Sequence, residues 1–255
     1  MLSAIILTKN NEATLVACLK SLAFTDEQLV IDSGSTDKTI ALAHEHKAKV
    51  IPHAWEGYGA QKNFGIQQAK NDWVLFVDAD EQITVELRDI ILATLADPQN
   101  HYNFFWLRIV TVFLGKPLRH LYGHNPRLFR KSAGHWTADY VHEQVQLTNG
   151  TRLKLGNKYS KLLPGVLLHY SHDTIRSYLN KMRHYTTLEA KEMRRTGTHR
   201  SGKPVTRSLL LPWRLSSRQF IKLFFYRHGW KDGRAGCIWC VMSAYYEFEL
   251  GRKFL

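Results

Sequence analysis

Three acids crowd the end of the uncharged run WVLFVDADEQ at residues 73–82, namely Asp78, Asp80 and Glu81. Like charges held this close repel, so their company needs a reason. A divalent cation supplies one, because hard Mg²⁺ or Mn²⁺ takes few protein carboxylates and completes its shell with phosphate oxygens and water. On this reading one of Asp78 and Asp80 reaches the metal and the other faces a ribose. Glu81 reads as incidental, a residue at the start of the following helix. Asp32 closes a second apolar run, QLVIDSGSTD. There a carboxylate can accept charge-assisted hydrogen bonds from a base or ribose, or simply belong to the turn, while Ser35, Thr36 and Asp37 read as helix-start residues. Further along, NPRLFRK holds Arg127 and Arg130, GVLLHY ends near His169, and ADYVHEQV holds Asp139, His142 and Glu143. An arginine fork suits a diphosphate or a phosphorylated acceptor, although an exposed strand face accounts for Arg130 equally well. A satisfied core position accounts for His169 as well as a metal contact does.

Something must deliver these groups to one place. SAIILT, EQLVIDSG, AKVIPH and WVLFVD are short β-rich runs, each followed by a helical pattern, the last from about Val85 to Leu95. Four strand-helix units in series predict a parallel sheet covered by helices. Ligands of such sheets bind beyond the carboxyl ends of the strands. The residues at those ends include Thr8, Glu12, Asp32, Asp78 and Asp80. No G-x-G-x-x-G follows the first strand and no G-x-x-x-x-G-K-[ST] occurs, so dinucleotide and P-loop readings lose their support. From about residue 101 the β-rich runs NFFWLRIVTVFLG, HNPRLFRK, VHEQVQL and GVLLHY predict that the sheet becomes mixed. Helical segments follow at about 173–195, 207–227 and 233–250, with the polar break TGTHRSGKPVT between the first two.

The net charge of +13 is uneven. Residues 1–170 hold 18 Lys and Arg against 16 Asp and Glu, and residues 171–255 hold 17 against 6. Charge of that kind permits nucleic-acid binding, but no RNA or DNA module is visible. Arg214, Arg218 and Lys222 recur every four residues among Trp213, Phe220, Ile221, Phe224 and Phe225. That pattern suits a helix lying on an anionic membrane surface, or one packed on the rest of the protein with a solvated basic face. Three cysteines give no disulfide framework, and Cys237-x-x-Cys240 with its apolar filling reads as a helix face rather than half a zinc site. The opening MLSAIILTKN reads as a strand and not as a signal peptide. The longest apolar stretch, CIWCVMSAYY, has about half the length a membrane crossing needs. A cytoplasmic location is the expectation.

VIDSGSTDKT, AQKNFG and FVDADE, in that order and at these separations, resemble the inverting GT-A glycosyltransferases of family 2. The resemblance covers roughly residues 1–150, with Ser33 where the family's D-D-G-S has its second acid. It implies a GT-A, Rossmann-like, mixed and mainly parallel sheet in residues 1–170, with a nucleotide-sugar half to about 100 and an acceptor half from about 101. Residues 171–255 then form a basic helical extension. It further implies that Thr8, Glu12, Asp32, Lys62 and Asp78 serve the donor nucleotide and sugar, and that Asp80 ligates Mg²⁺ or Mn²⁺. A lone carboxylate is then wanted as base. The resemblance points to Glu143, because the similar subgroup carries His-Glu in place of Glu-Asp, with Asp139 as fallback. That subgroup is the bacterial lipopolysaccharide inner-core β-1,4-glucosyltransferases. It implies UDP-glucose as donor, a lipid-anchored heptose as acceptor, and work at the cytoplasmic face of the inner membrane. Another glycan or lipid acceptor within the family, and a sugar nucleotidyltransferase, are the alternatives.

Overall fold

A computed structural model describes residues 1–137, 143–172 and 174–255. Asp139 and His142 therefore lie outside the described residues. The chain divides into two compact units, one of residues 1–109 and 123–169, the other of residues 110–122 and 170–255. The stretch 110–122, placed by the sequence reading within the catalytic part, thus clusters with the C-terminal helices.

In the first unit, β1 (Leu2–Thr8), β2 (Glu27–Asp32), β3 (Lys49–Pro52) and β4 (Trp73–Asp78) form the parallel half of an eight-stranded sheet. Its order is β3-β2-β1-β4-β7-β6-β10-β5, with β5 at Glu81–Ile83, β6 at Phe104–Phe113, β7 at Lys116–Arg130 and β10 at Ser160–His172. β4 pairs with β7 and β10 pairs with β5 in the antiparallel sense. Continuous apolar runs form these central strands because both faces are covered. On one face Ala4, Ile6, Val30, Leu75 and Val77 meet α1 (Leu15–Ser21) and α4 (Val85–Ala96) through Leu15, Leu19, Leu87 and Ile91. On the other, Ile5, Leu29, Ile31, Val74 and Phe76 meet α3 (Tyr58–Gln68) and the hairpin of β8 (Gly134–Trp136) and β9 (Val145–Leu147). α2 (Thr39–Glu45) joins β2 to β3.

Two short strands, β5 and β8, went unread in the sequence. β5 occupies the residues taken for a helix start, and the cap of α4 is instead Thr84, whose side chain accepts from the Leu87 amide at 3.2 Å. Three residues are too few for periodicity to register.

The second unit is built on α5 (Ile175–Thr196), α6 (Leu211–Ile221) and α7 (Gly233–Phe254). α5 opens with a capping box between Thr174 and Ser177 and closes on Gly197, whose φ of 68° suits the left-handed stop. α6 widens at its end into a π-helical turn, Lys222–Tyr226. Gly251 lets α7 approach α6, since a Cβ there would stand 2.7 Å from the Cα of Pro212. Arg200 lies between Glu189 and Glu247 at 3.2 and 2.5 Å, and His199 meets Glu247 at 3.1 Å. No helix among the described residues is long and apolar enough to cross a membrane.

Candidate active site

Register brings the strand ends together. Thr8 pairs with Asp32 across β1 and β2, and Leu7 pairs with Asp78 across β1 and β4, so three carboxyl-end residues share one edge of the parallel half. The loops that follow are stitched to each other. The Asn10 amide donates to Ser35 Oγ at 2.9 Å, the Thr36 amide to Asn10 Oδ1 at 2.8 Å, and the Lys38 amide to Glu12 Oε2 at 3.0 Å. Glu12 thus spends one carboxylate oxygen on the neighbouring loop. Thr8 Oγ1 donates to Asn11 Oδ1 at 3.1 Å. Asp32, 2% exposed, accepts from the Gly34 and Ser35 amides at 2.9 Å each and from the Ser35 hydroxyl. In this arrangement its carboxylate serves the turn. Next to it lies a buried polar group that the sequence reading passed over. Gln61 on α3 donates to Ser33 Oγ at 2.7 Å and to the His53 carbonyl at 3.2 Å, and His53 stacks on Phe64.

The acids of WVLFVDADEQ have separate partners. Asp78 ends β4, whereas Asp80 sits in the turn after it. Arg127, buried on β7, donates to Asp78 at 3.0 Å and to Glu81 at 2.8 Å, and the Asp78 amide donates to Glu81 at 2.8 Å. Glu81 is fully buried, so it is the keystone of this pair and not an incidental helix start. Burial pushes its carboxyl up to about 7, Arg127 opposing and Asp78 adding to the rise. Asp78 behaves in the contrary way. Desolvation works against its charge, but Arg127 and then Lys62 outweigh it and hold the carboxyl well below the usual range. Two guanidinium nitrogens of Arg127, Nε and Nη1, are buried without a hydrogen-bond acceptor. Such donors are costly to leave unmet and suit an anion arriving with substrate.

Asp80 is met by His169, Oδ1 to Nε2 at 3.4 Å, its one ion-pair contact among the described residues. His169 reaches it because β10 pairs with β5, His169 lying opposite Glu81. Burial opposes protonation of this imidazole, yet Asp80 and the charges of Glu81 and Asp78 raise it above its ordinary value. No group of three or more His, Cys, Asp or Glu gathers in metal-binding geometry among the described residues. Asp80 is then the carboxylate that would hold a cation drawing its other ligands from phosphate and water, as Mg²⁺ does, with His169 beside it.

Glu143 arrives from far along the chain. The loop between β8 and β9 is closed by Thr137 and Gln144, amide to carbonyl at 2.8 Å and amide to hydroxyl at 2.9 Å. Asn63 ties α3 to that hairpin, exchanging bonds of 2.8 and 2.9 Å with the backbone of Trp136. Lys62, the residue before it, packs its ammonium over the Trp136 ring and meets Glu143 Oε1 at 2.5 Å. Lys62 also acts on Asp78, and Glu143 on Arg127, so the two ion pairs belong to one charge cluster.

Arg130 does not belong to this cluster. It pairs in register with Trp73 at the opposite end of β4, stacks on that ring and bridges Asp72 at 3.0 Å. Three residues along β7 from Arg127, it is carried away from the strand mouth, so a diphosphate or acceptor role at this site is not available to it.

Residues 3–155 match the family model Glycosyl transferase family 2, and the chain belongs to that family. Its GT-A-like fold is the mixed sheet between helices described above, extended by helices at the C-terminus. An uncharacterized glycosyltransferase of Rickettsia typhi is 30% identical over 97% of this chain and 84% of its own. The lipopolysaccharide core biosynthesis glycosyltransferase LpsC of Rhizobium meliloti is 28% identical over 99% and 91%. Among solved structures, S. aureus TarS 1–349 is 18% identical with a TM-score of 0.47 over 96% of this chain and 90% of that one. Glucosyl-3-phosphoglycerate synthase from Mycobacterium tuberculosis is 22% identical with a TM-score of 0.36 over 44% of each chain.

Proposed function

We propose that the protein is an inverting hexosyltransferase that moves glucose from UDP-glucose to a lipid-anchored lipopolysaccharide core glycan at the cytoplasmic face of the inner membrane. The observation that carries the reaction type is the Lys62–Glu143 pair, which holds one carboxylate oxygen of Glu143 and leaves the other unpaired among the described residues. Similarity to LpsC along nearly the whole chain supports the acceptor class.

The acceptor hydroxyl gives its proton to Glu143 as its oxygen bonds to the anomeric carbon, and the bond from that carbon to the diphosphate breaks on the opposite face. Lys62 holds one carboxylate oxygen of Glu143 and leaves the other for the proton. Asp78, fixed by Arg127, is placed to accept hydroxyls of ribose or sugar, and the free donors of Arg127 face the anionic part of the donor. Thr8 and the turn that Asp32 holds in shape line the nucleoside end. Mg²⁺ or Mn²⁺ held at Asp80, with His169 beside it, would offset negative charge growing on the departing diphosphate.

A panel of sugar nucleotides, either metal ion and extracted core lipid tests the reading. Nucleoside diphosphate release should match sugar transferred. Glu143→Gln should lower the rate by about 10²–10⁴-fold while donor binding is retained. Release of pyrophosphate from a nucleoside triphosphate would make the protein a nucleotidyltransferase, and no turnover with any sugar donor would sink the proposal.

A further inference from the structure

The helical unit has a cavity of its own, about 360 Å³. Arg200, Lys222 and Arg227 line it together with Tyr122, Trp239, Tyr246 and Gln219, and no Asp or Glu is part of its lining among the described residues. The three cations differ in their state. Arg200 is spoken for by Glu189 and Glu247 and acts as a fixed wall. Lys222 and Arg227 are exposed and have no carboxylate partner among the described residues. Arg227 leans over the Tyr122 ring at 5.5 Å and makes only a 3.4 Å bond to the Tyr122 carbonyl.

The backbone explains why these two face one space. In an α-helix residues five apart diverge by about 140°, which would put Lys222 and Arg227 on different sides. Here the Arg227 amide donates to the Lys222 carbonyl at 2.9 Å, the wider turn of a π-helix. That extra residue per turn brings the two nearly into line. Such turns sacrifice regular geometry and recur at functional sites.

Two cations without a carboxylate partner among the described residues suit an anion, aromatic rings suit the C–H faces of a sugar, and Gln219 offers both donor and acceptor to hydroxyls. We infer that this cavity binds a saccharide bearing a phosphate group, with Lys222 and Arg227 on the phosphate. The inference deepens the function proposed above and rests on its glycan acceptor, the phosphorylated sugar being part of that acceptor.

Calorimetric titration of the full-length protein, without donor or metal, separates the possibilities. The probes are glucose 6-phosphate, glucose, inorganic phosphate, and vesicles of phosphatidylglycerol. Glucose 6-phosphate should bind more tightly than phosphate or glucose, and Lys222→Gln/Arg227→Gln should weaken it about tenfold or more, as loss of charge-assisted bonds does. Circular dichroism checks that the variant is folded. Equal affinity for phosphate and glucose 6-phosphate would overturn the sugar part. Binding of vesicles but not of glucose 6-phosphate, lost in Lys222→Gln/Arg227→Gln, would make a lipid headgroup the ligand, and an unaffected double variant would remove the cavity from anion binding. Under turnover, the variant should raise the acceptor KM for phosphorylated core and not for core stripped of phosphate. Equal KM changes overturn the inference while leaving the transferase reading intact, and sugar-phosphate binding without any transfer does the reverse.

Discussion

At Asp80 the carboxylate meets one imidazole, whereas Asp78, two residues earlier, shares a guanidinium with Glu81. The difference in company gives the acids of one motif different chemistry. A carboxylate neutralised by arginine is a poor ligand for a cation; one beside a histidine that can give up its proton is a good one. Asp80→Ala should therefore weaken Mn²⁺ binding, followed by calorimetry or electron paramagnetic resonance, by at least about tenfold, with the unfolding midpoint little changed. Unchanged Mn²⁺ affinity would move the metal elsewhere. Lys62 and Glu143 illustrate the same principle from far apart in sequence, because neither charge could be buried without the other.

Among the elements, α3 does most to build the site, since consecutive residues Gln61, Lys62 and Asn63 reach the β2 loop, Glu143 and the β8 strand in turn. It can do so only because Gly65 lets it lie against β1. A Cβ at that position would stand 2.5 Å from Ile5 Cγ2. Gly65→Ala should cost about 1–3 kcal/mol by overpacking, read as a lower urea midpoint, and should slow transfer by displacing Lys62. An unshifted midpoint would show that the helix is free to move. In the helical unit Arg200 joins Glu189 of α5 to buried Glu247 of α7. Burial would raise its carboxyl, but the hydrogen bond from His199 and the charge of Arg200 hold it below the ordinary 4.5. The unfolded chain then binds that proton more tightly, so this carboxylate's contribution to stability is complete above about pH 4.5 and fades as pH falls through the lower folded-state value. Wild type should lose thermal stability more steeply than Glu247→Gln between about pH 5 and 3. Parallel curves would discount the pair.

For the molecule as a whole, most of the net charge of +13 falls in residues 171–255, and large apolar side chains are exposed there too. Leu209, Leu210, Trp213, Phe225 and Tyr226 are between 57% and 85% exposed, with Arg214 and Arg218 exposed beside them. Basic and aromatic groups together favour an anionic bilayer surface. Trp213→Ser/Phe225→Ser should reduce sedimentation with phosphatidylglycerol vesicles, and added salt should reduce it further. Equal sedimentation would return these side chains to a solvated role.

Strand-helix alternation, the apolar runs and the acids that close them were legible in the sequence, because period and strand-end chemistry are local properties. The parallel half of the sheet, the helical extension and the candidates Asp78, Asp80, Lys62 and Glu143 follow from them and from the resemblance to family 2. Only the tertiary structure decided which of those residues meet. It set Lys62 against Glu143, carried Arg130 to the far end of its strand, and made Glu81 a buried partner of Arg127. Each of those outcomes depends on strand register and on helix approach, which join residues up to 81 positions apart. No local pattern encodes a pairing across that distance.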